Sequence, residues 1–342
     1  MRVVVGLVSA AALAVGVNTP AHRTVVNDAV EMVVRAGFPG AIGYSRIGDE
    51  RRHAAAGLGD IERQVPARSG DRFRIASNTK AFTAAVVLQL VGEKRLALDV
   101  PVSRWLPRVP AGITVRQLLD HSSGLYDPTK DPAFWEPYFQ GNRGFVYRPA
   151  DLVATAVRHP LGEPDYSNTN YLVLGLLIEK VTGRSAVSEV YRRILVPLNL
   201  VRTSFPTVDP TIHGRHLHGY AFDGTDLTVF SPSYDWTAGA MISTVDDLAK
   251  FHRALFNGLL LRPAELAELR TGLGVERLPL PCGEVWTTTG GGPGYNSLAV
   301  TSADTSRQLV LAMNRYDIEA DVAEEPPVHE VELLPLLTEF FC

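Results

Sequence analysis

The chain has 342 residues, 46% of them apolar and 20% charged, with a net charge of -4 and no run of basic residues. That length and apolar content suffice for a large buried core, in one big domain or two. The negative balance disfavours nucleic acid or an anionic membrane surface as the main partner and points to a small-molecule or peptide substrate.

Residues 1–21 begin Met1-Arg2, run through an apolar stretch over 3–17 and end in Asn18-Thr19-Pro20-Ala21. This is the outline of a secretory signal peptide cut near Ala21. The stretch is too short for a comfortable membrane span, so a secreted protein without a stable membrane anchor is expected. A helix follows over 25–36, ended by Gly37 with Pro39-Gly40 behind it. Short strands at 41–45 and 53–57 flank the polar turn Gly48-Asp49-Glu50 and read as a hairpin. A long helix starts at Ser77, and further helices are expected over 114–119, 149–158, 169–181 and 186–195, with Pro149 opening one and Thr182-Gly183 closing another. Phe134, Trp135, Tyr138 and Phe139 fall in a long loop after Pro132, as a lid over a cleft or as the loop's own buried face. Towards the C-terminus, Thr244 caps a helix over 245–256, a helix spans 263–270, strands lie at 297–300 and 308–313, and an apolar helix covers 331–341.

Strands therefore sit at both ends and helices in the middle. The fold class this predicts is α+β: one antiparallel sheet built from the N- and C-terminal segments, flanked by helices, with an all-helical region inserted. In residues, 22–76 and 235–342 form the sheet-and-helix part, 77–234 the mainly helical part, and the cleft falls where they meet. Cys282 and Cys342 are a pair that closes in an oxidising compartment; two buried free thiols are the alternative.

Three segments carry candidate chemistry. In Ser77-Asn78-Thr79-Lys80 a hydroxyl and an amine stand three apart at a helix start, which places a nucleophile and its base on one face. The free N–H groups of that helix end favour negative charge on an attacked carbonyl oxygen. Tyr166-Ser167-Asn168 precedes the helix over 169–181, and Trp286-Thr287-Thr288-Thr289-Gly290-Gly291-Gly292-Pro293-Gly294-Tyr295 has a glycine cluster that lets a ligand approach the backbone. Each motif is weak alone. His213, His216 and His218, with Asp209 nearby, match no zinc spacing and read as a polar surface loop, so no metal or cofactor is expected. No Gly-x-Ser-x-Gly elbow occurs, which disfavours an ordinary α/β-hydrolase.

In this order, Ser-x-x-Lys, Tyr-x-Asn and a Thr-Gly strand followed by Gly-Tyr, the chain resembles the serine penicillin-recognising enzymes. It looks most like the secreted D-alanyl-D-alanine carboxypeptidases allied to class C beta-lactamases. The likeness extends through Phe73-Arg74-Ile75-Ala76 before Ser77, the segment over 114–127, and Ala238-Gly239-Ala240-Met241-Ile242-Ser243-Thr244. It implies that Ser77 forms an acyl-enzyme, that Lys80 is its base, and that Tyr166, as phenol or phenolate, passes the proton to the leaving amine. Asn168 would hold Lys80 and the substrate amide, and the backbone N–H groups of Ser77 and Gly291 would form the oxyanion hole. Thr288, Thr289 and Gly290 would stand in the substrate-binding strand, with Trp236 on the substrate wall and His121 as a structural residue. A disulfide between Cys282 and Cys342 would suit a secreted member, and a monomer is expected.

One residue departs from the pattern. Thr288 stands where the family has lysine or histidine, so the cation that docks a substrate carboxylate is missing. Arg277, shortly before this strand, is a candidate replacement, and Glu276 beside it opposes an anionic terminus. The implied activity is D-alanyl-D-alanine carboxypeptidase; a beta-lactamase or carboxylester hydrolase on the same scaffold, and a catalytically quiet binding protein, are the alternatives.

Overall fold

The computed structural model describes residues 21–316, Ile318, Val322 and 331–342; the expected leader lies outside the described residues except for Ala21. The chain opens with helix α1 (Ala21–Arg35), then strands β1 (Gly40–Ile47), β2 (Glu50–Asp60), β3 (Val65–Pro66) and β4 (Phe73–Arg74). Helices α2 (Thr79–Gly92), α3 (Val115–Leu119), α4 (Pro132–Phe139), α5 (Pro149–Ala156), α6 (Asn168–Thr182) and α7 (Ala186–Val190) follow, α7 continuing into a wider π turn over Tyr191–Leu195. Then come α8 (Trp236–Gly239), β5 (Ile242–Ser243), α9 (Val245–Phe256), α10 (Pro263–Leu269), β6 (Glu276–Leu280), β7 (Gly283–Gly292), β8 (Tyr295–Ser302), β9 (Arg307–Met313) and α11 (Leu334–Phe341).

Seven strands form one antiparallel sheet in the order β3-β2-β1-β9-β8-β7-β6. The two ends of the chain meet where β1 pairs with β9, Ala41 opposite Met313. The first hairpin is longer than its hydrophobic pattern suggests. Ile47 lies opposite Glu50 across the two-residue turn Gly48-Asp49, and Gly48 takes the left-handed φ of +57° such a turn demands.

One face of the sheet is covered by α1 and α11, whose Val26, Val30, Leu336 and Phe340 pack with Val300, Leu309 and Leu311. Burial of each such side chain stabilises by about 1.5–3 kcal/mol. Gly43 sets how closely α1 can approach, since a Cβ there would stand 2.7 Å from Val26 Cγ2. The other face meets α9 and the helical region. At its centre is α2, buried on nearly every side and therefore without a polar face. Cys282, in the β6–β7 turn, is bonded to Cys342 at the end of α11, with Cα atoms 5.5 Å apart, which ties the last helix to the end of the sheet.

The expected caps form locally. Pro149 opens α5, Gly183 ends α6 at φ +71°, and the Thr244 side chain accepts from Asp247 N at the start of α9. Helix α4 and strand β6 are among the elements that differ from expectation. The loop after Pro132 is helix α4: Asp131 caps it by accepting from Ala133 N, and it tolerates Pro137 inside. Three of its aromatic residues form its buried face: Phe134 stacks on Tyr147, Trp135 meets Tyr234 edge-on and Tyr138 stacks on Phe230, while Phe139 is exposed. Strand β6 was not anticipated because Pro279 breaks its pattern; on an edge strand the missing donor costs nothing. No helix among the described residues is long and apolar enough to cross a membrane.

Candidate active site

The turn Ala76–Asn78 packs over the face of β7 and carries Ser77 into the start of α2. Gly290 permits this approach: a Cβ there would lie 2.2 Å from Ile75 O and 2.8 Å from Asn78 Nδ2. Ala76 holds the left-handed φ of +43°, a strained conformation for a residue with a Cβ, immediately before the serine. The turn is pinned on both sides. Ile75 N donates to Met241 O at 3.0 Å, and Asn78 Nδ2 donates to Ile75 O at 3.1 Å and to Ser297 Oγ at 2.9 Å.

Ser77, Lys80, Tyr166 and Asn168 come together as one hydrogen-bonded cluster. Lys80 Nζ donates to Ser77 Oγ at 3.0 Å, to Asn168 Oδ1 at 2.7 Å and to Ala238 O at 2.9 Å, which uses all three ammonium donors. Ser77 Oγ also lies 2.8 Å from the Tyr166 hydroxyl. The lysine charge stands 4.9 Å from the centre of the Tyr166 ring. Tyr166 and Asn168 reach the cluster because the loop before α6 is firmly held. Asp127 Oδ2 accepts from Asn168 N at 2.7 Å, Thr129 Oγ1 accepts from Asn168 Nδ2 at 3.0 Å, and His121 Nδ1 accepts from Ser167 N at 3.2 Å. His121 also stacks on Tyr166 at 4.3 Å, in keeping with a structural part.

Burial separates the titrations of the two candidate bases. Desolvation lowers the Lys80 pKa to about 8, opposed by the carboxylates of Asp235 and Asp127. Tyr166 is 38% exposed; the protein packed about it raises its pKa above the ordinary value, and the Ser77 hydrogen bond offsets only part of this. The phenolate is thus inaccessible at neutral pH, whereas about one tenth of Lys80 is free amine at pH 7. Burial, followed by the Lys80 charge, lowers His121 to about 3, so its ring is a neutral acceptor.

The glycine-rich strand is arranged differently from expectation. β6 pairs only with residues 283–287 of β7, so among the described residues no strand covers that edge of 288–292. Thr288 does not face a ligand there. It is 5% exposed, its hydroxyl donates to Asn78 Oδ1, and its oxygen lies 2.9 Å from Nε2 of His252 on α9. Burial lowers His252 to about 3, leaving it neutral. Thr288 is therefore a link in a core hydrogen-bond chain with Asn78 and His252. Thr289, Gly290 and Gly291 follow it along the uncovered edge, opposite Leu298, Ser297 and Asn296 of β8. Arg277 does not replace the missing cation, since it pairs with Glu284 at 3.7 Å. Trp236, at 5% exposure, packs into the core, its ring occupying the space beside Gly175. Its neighbour Tyr234 lines a cleft instead, together with Ala76, Gly239, Ala240, Gly292 and Pro293.

Asp127, Thr129, Asp235 and His252 are residues of this neighbourhood that sequence reasoning missed as such. Among the described residues no group of three or more His, Cys, Asp or Glu side chains is placed to hold a metal ion. His213 bonds Asp209 and His218 bonds Asp226, each at 2.7 Å.

The sequence profile of the family described as Beta-lactamase matches residues 25–332. The chain belongs to the beta-lactamase family. Among solved structures of this fold, a D-stereospecific amidohydrolase from Streptomyces sp. is 37% identical, with a TM-score of 0.80 over 88% of this chain and 97% of that one. The D-amino acid amidase of Ochrobactrum anthropi SV3, solved with L-phenylalanine amide, is 28% identical with a TM-score of 0.77 over 93% and 97%. Among curated proteins, penicillin-binding protein 4* of Bacillus subtilis (strain 168) is 26% identical over 315 residues, 82% of this beta-lactamase-family chain and 69% of its own length. These comparisons place the chain among serine hydrolases that include penicillin-binding proteins and amidases.

Proposed function

We propose that this chain is an exported serine amidohydrolase that forms an acyl-enzyme at Ser77 and hydrolyses the amide on the carbonyl side of a D-amino acid. The observation that carries the proposal is the hydrogen-bonded Ser77–Lys80–Tyr166–Asn168 cluster around the buried Lys80, set beside a β7 edge that offers no cation. Neutral Lys80 takes the proton as Ser77 Oγ bonds to the carbonyl carbon. Backbone N–H groups of Ser77 and Gly291 receive the oxyanion, with the substrate lying along the uncovered edge as an added strand. The carbon–nitrogen bond then breaks, and the proton passes from Lys80 through the neutral Tyr166 hydroxyl to the leaving amine. Water cleaves the Ser77 ester, releasing the acid and restoring the hydroxyl. Asn168 orients Lys80 throughout.

The amidase reading is supported by the likeness to a D-stereospecific amidohydrolase and a D-amino acid amidase, and by the uncharged Thr288. A D-alanyl-D-alanine carboxypeptidase is the second reading, favoured by the likeness to penicillin-binding protein 4*. It requires the substrate carboxylate to bind without a partner at position 288. Export is supported by the apolar stretch over 3–17 and by the Cys282–Cys342 disulfide.

Turnover of D-phenylalanine amide, L-phenylalanine amide and an N-acylated peptide ending in D-Ala-D-Ala tests the choice. The D-amide should be the fastest of the three, with Ser77→Ala inactive on all. Faster trimming of the peptide would move the assignment to the carboxypeptidase. Benzylpenicillin should add to the intact mass of the wild type and not of Ser77→Ala; no adduct and no turnover would leave a binding protein.

A further inference from the structure

Lys80 is a buried ammonium whose three donors all end on neutral acceptors, Ser77 Oγ, Asn168 Oδ1 and Ala238 O, with no carboxylate of the described residues in contact. Such a group needs a compensating charge close by, because an uncompensated buried charge costs several kcal/mol, on the order found for broken buried ion pairs. Two carboxylates act on it electrostatically, Asp235 and Asp127. Asp127 is committed elsewhere: its oxygens accept from Asn168 N, Thr129 N and Thr129 Oγ1.

Asp235 has no such commitment. It is 4% exposed, and its buried Oδ1 has no hydrogen-bond partner. The carboxylate occupies the space that a side chain at position 239 would fill, since a Cβ on Gly239 would lie 1.5 Å from Asp235 Oδ2. The same residue shapes the lysine's surroundings through its backbone. Asp235 O accepts from Ala238 N at 2.6 Å and from Gly239 N at 3.1 Å, which turns α8 so that Ala238 O meets Lys80 Nζ. A buried carboxylate oxygen without a donor costs stability, and a nearby ammonium offsets part of that cost.

We propose that Asp235 is a positioning residue for the proton transfer: its carboxylate, housed against Gly239, is the remote countercharge that stabilises the Lys80 ammonium formed when Ser77 is deprotonated. This rests on Lys80 being the base, as argued above. The arrangement parallels nucleophile, base and carboxylate triads, with the carboxylate acting through a gap and a peptide carbonyl rather than through a direct hydrogen bond. The other groups around Lys80 are Tyr166 and Tyr171, whose rings lie 4.9 Å and 5.6 Å away, and neutral His121. Asp235 itself titrates near 6, raised by burial, lowered by Lys80 and raised by Asp127.

Asp235→Asn keeps the shape and removes the charge. Loss of a nearby negative charge lowers the lysine pKa, so the acid limb of the kcat/KM profile should move down by about one pH unit, with kcat falling about tenfold and KM unchanged. An unshifted limb overturns the proposal, and so does a raised KM for substrates with a free ammonium at unchanged kcat, which would make Asp235 a substrate contact. A second measurement uses the wild type. With lysine labelled at 13Cε, the Lys80 signal, assigned by its absence in Lys80→Arg, should titrate in two steps, near 6 for Asp235 and near 8 for itself. A single step overturns the proposal whatever the variant does. Absence of any Ser77 acylation in the wild type would instead sink the underlying amidohydrolase reading.

Discussion

The turn bearing Ser77 and the strand facing it are built to different standards of completeness. In the first region every polar atom that chemistry needs has a partner: Lys80 spends three donors, Ser77 meets both Lys80 and Tyr166, and Asp127 and Thr129 fix Asn168. In the second, β7 supplies backbone and glycine, while its one side chain at the expected cation position turns inward to His252. On the proposed mechanism, acyl transfer and substrate selection therefore rest on separate parts of the molecule. The machinery can be intact while the part that reads a substrate carboxylate is missing.

The largest effects should come from the first region. Lys80→Met should cut kcat/KM by about 10³-fold or more, because the hydroxyl then has no base. In the wild type kcat/KM should rise with pH and level off above about 8, since Lys80 must lose its proton to act and its pKa lies there. Tyr166→Phe should retain that limb and lose the rate of leaving-group departure; a limb that disappears with Tyr166→Phe would transfer the base role to the phenol.

The first region was legible because its chemistry forces local spacing. A serine and lysine three apart on a helix start can only meet on one face, and Tyr166-Ser167-Asn168 stands where a helix begins, so both motifs show in the one-dimensional pattern. The overall α+β layout was legible for a similar reason: alternating strands at the two ends have to pair with each other. What stayed hidden depends on distant partners. Thr288 turns inward because His252, 36 positions away, and Asn78, 210 positions away, receive it. Asp235, proposed as the countercharge of Lys80, lies far from it along the chain, and nothing local marks it. Helix α4 was missed because two prolines and an aromatic run read as a loop, while the cap at Asp131 and the rings of Tyr147, Phe230 and Tyr234 stabilise it.

An intermediate effect should come from the contact between the two regions. Gly290→Ala places a methyl 2.2 Å from Ile75 O, a backbone atom that cannot step aside without moving Ser77. The cost should be about 1–3 kcal/mol in stability, read from urea midpoints, with a fall in kcat of about 10²-fold. Gly292→Ala is the control. Its new methyl would meet Tyr234 Oη at 3.2 Å and Ala76 Cβ at 3.3 Å, contacts that small adjustments relieve, so stability should change less. Equal losses for both would show that the tight approach at Gly290 is not what couples the strand to the serine.

The smallest effect is the most discriminating. Restoring a cation by Thr288→His alone would set the new ring against His252 and would strip Asn78 Oδ1 of its donor, leaving a buried acceptor unsatisfied at a cost of about 1–3 kcal/mol. Thr288→His combined with His252→Ala removes the clash and opens space behind the strand. If the cation position alone decides substrate class, the double variant should lower KM for a peptide ending in D-Ala-D-Ala by about tenfold, with the D-amino-acid amide changed by less than a factor of about two. Equal changes in both substrates would mean that Thr288 acts only through the position of Asn78 and hence of Ser77. The inward hydrogen-bond chain would then belong to the catalytic turn, and carboxylate selection would have to be sought elsewhere along the uncovered edge of β7.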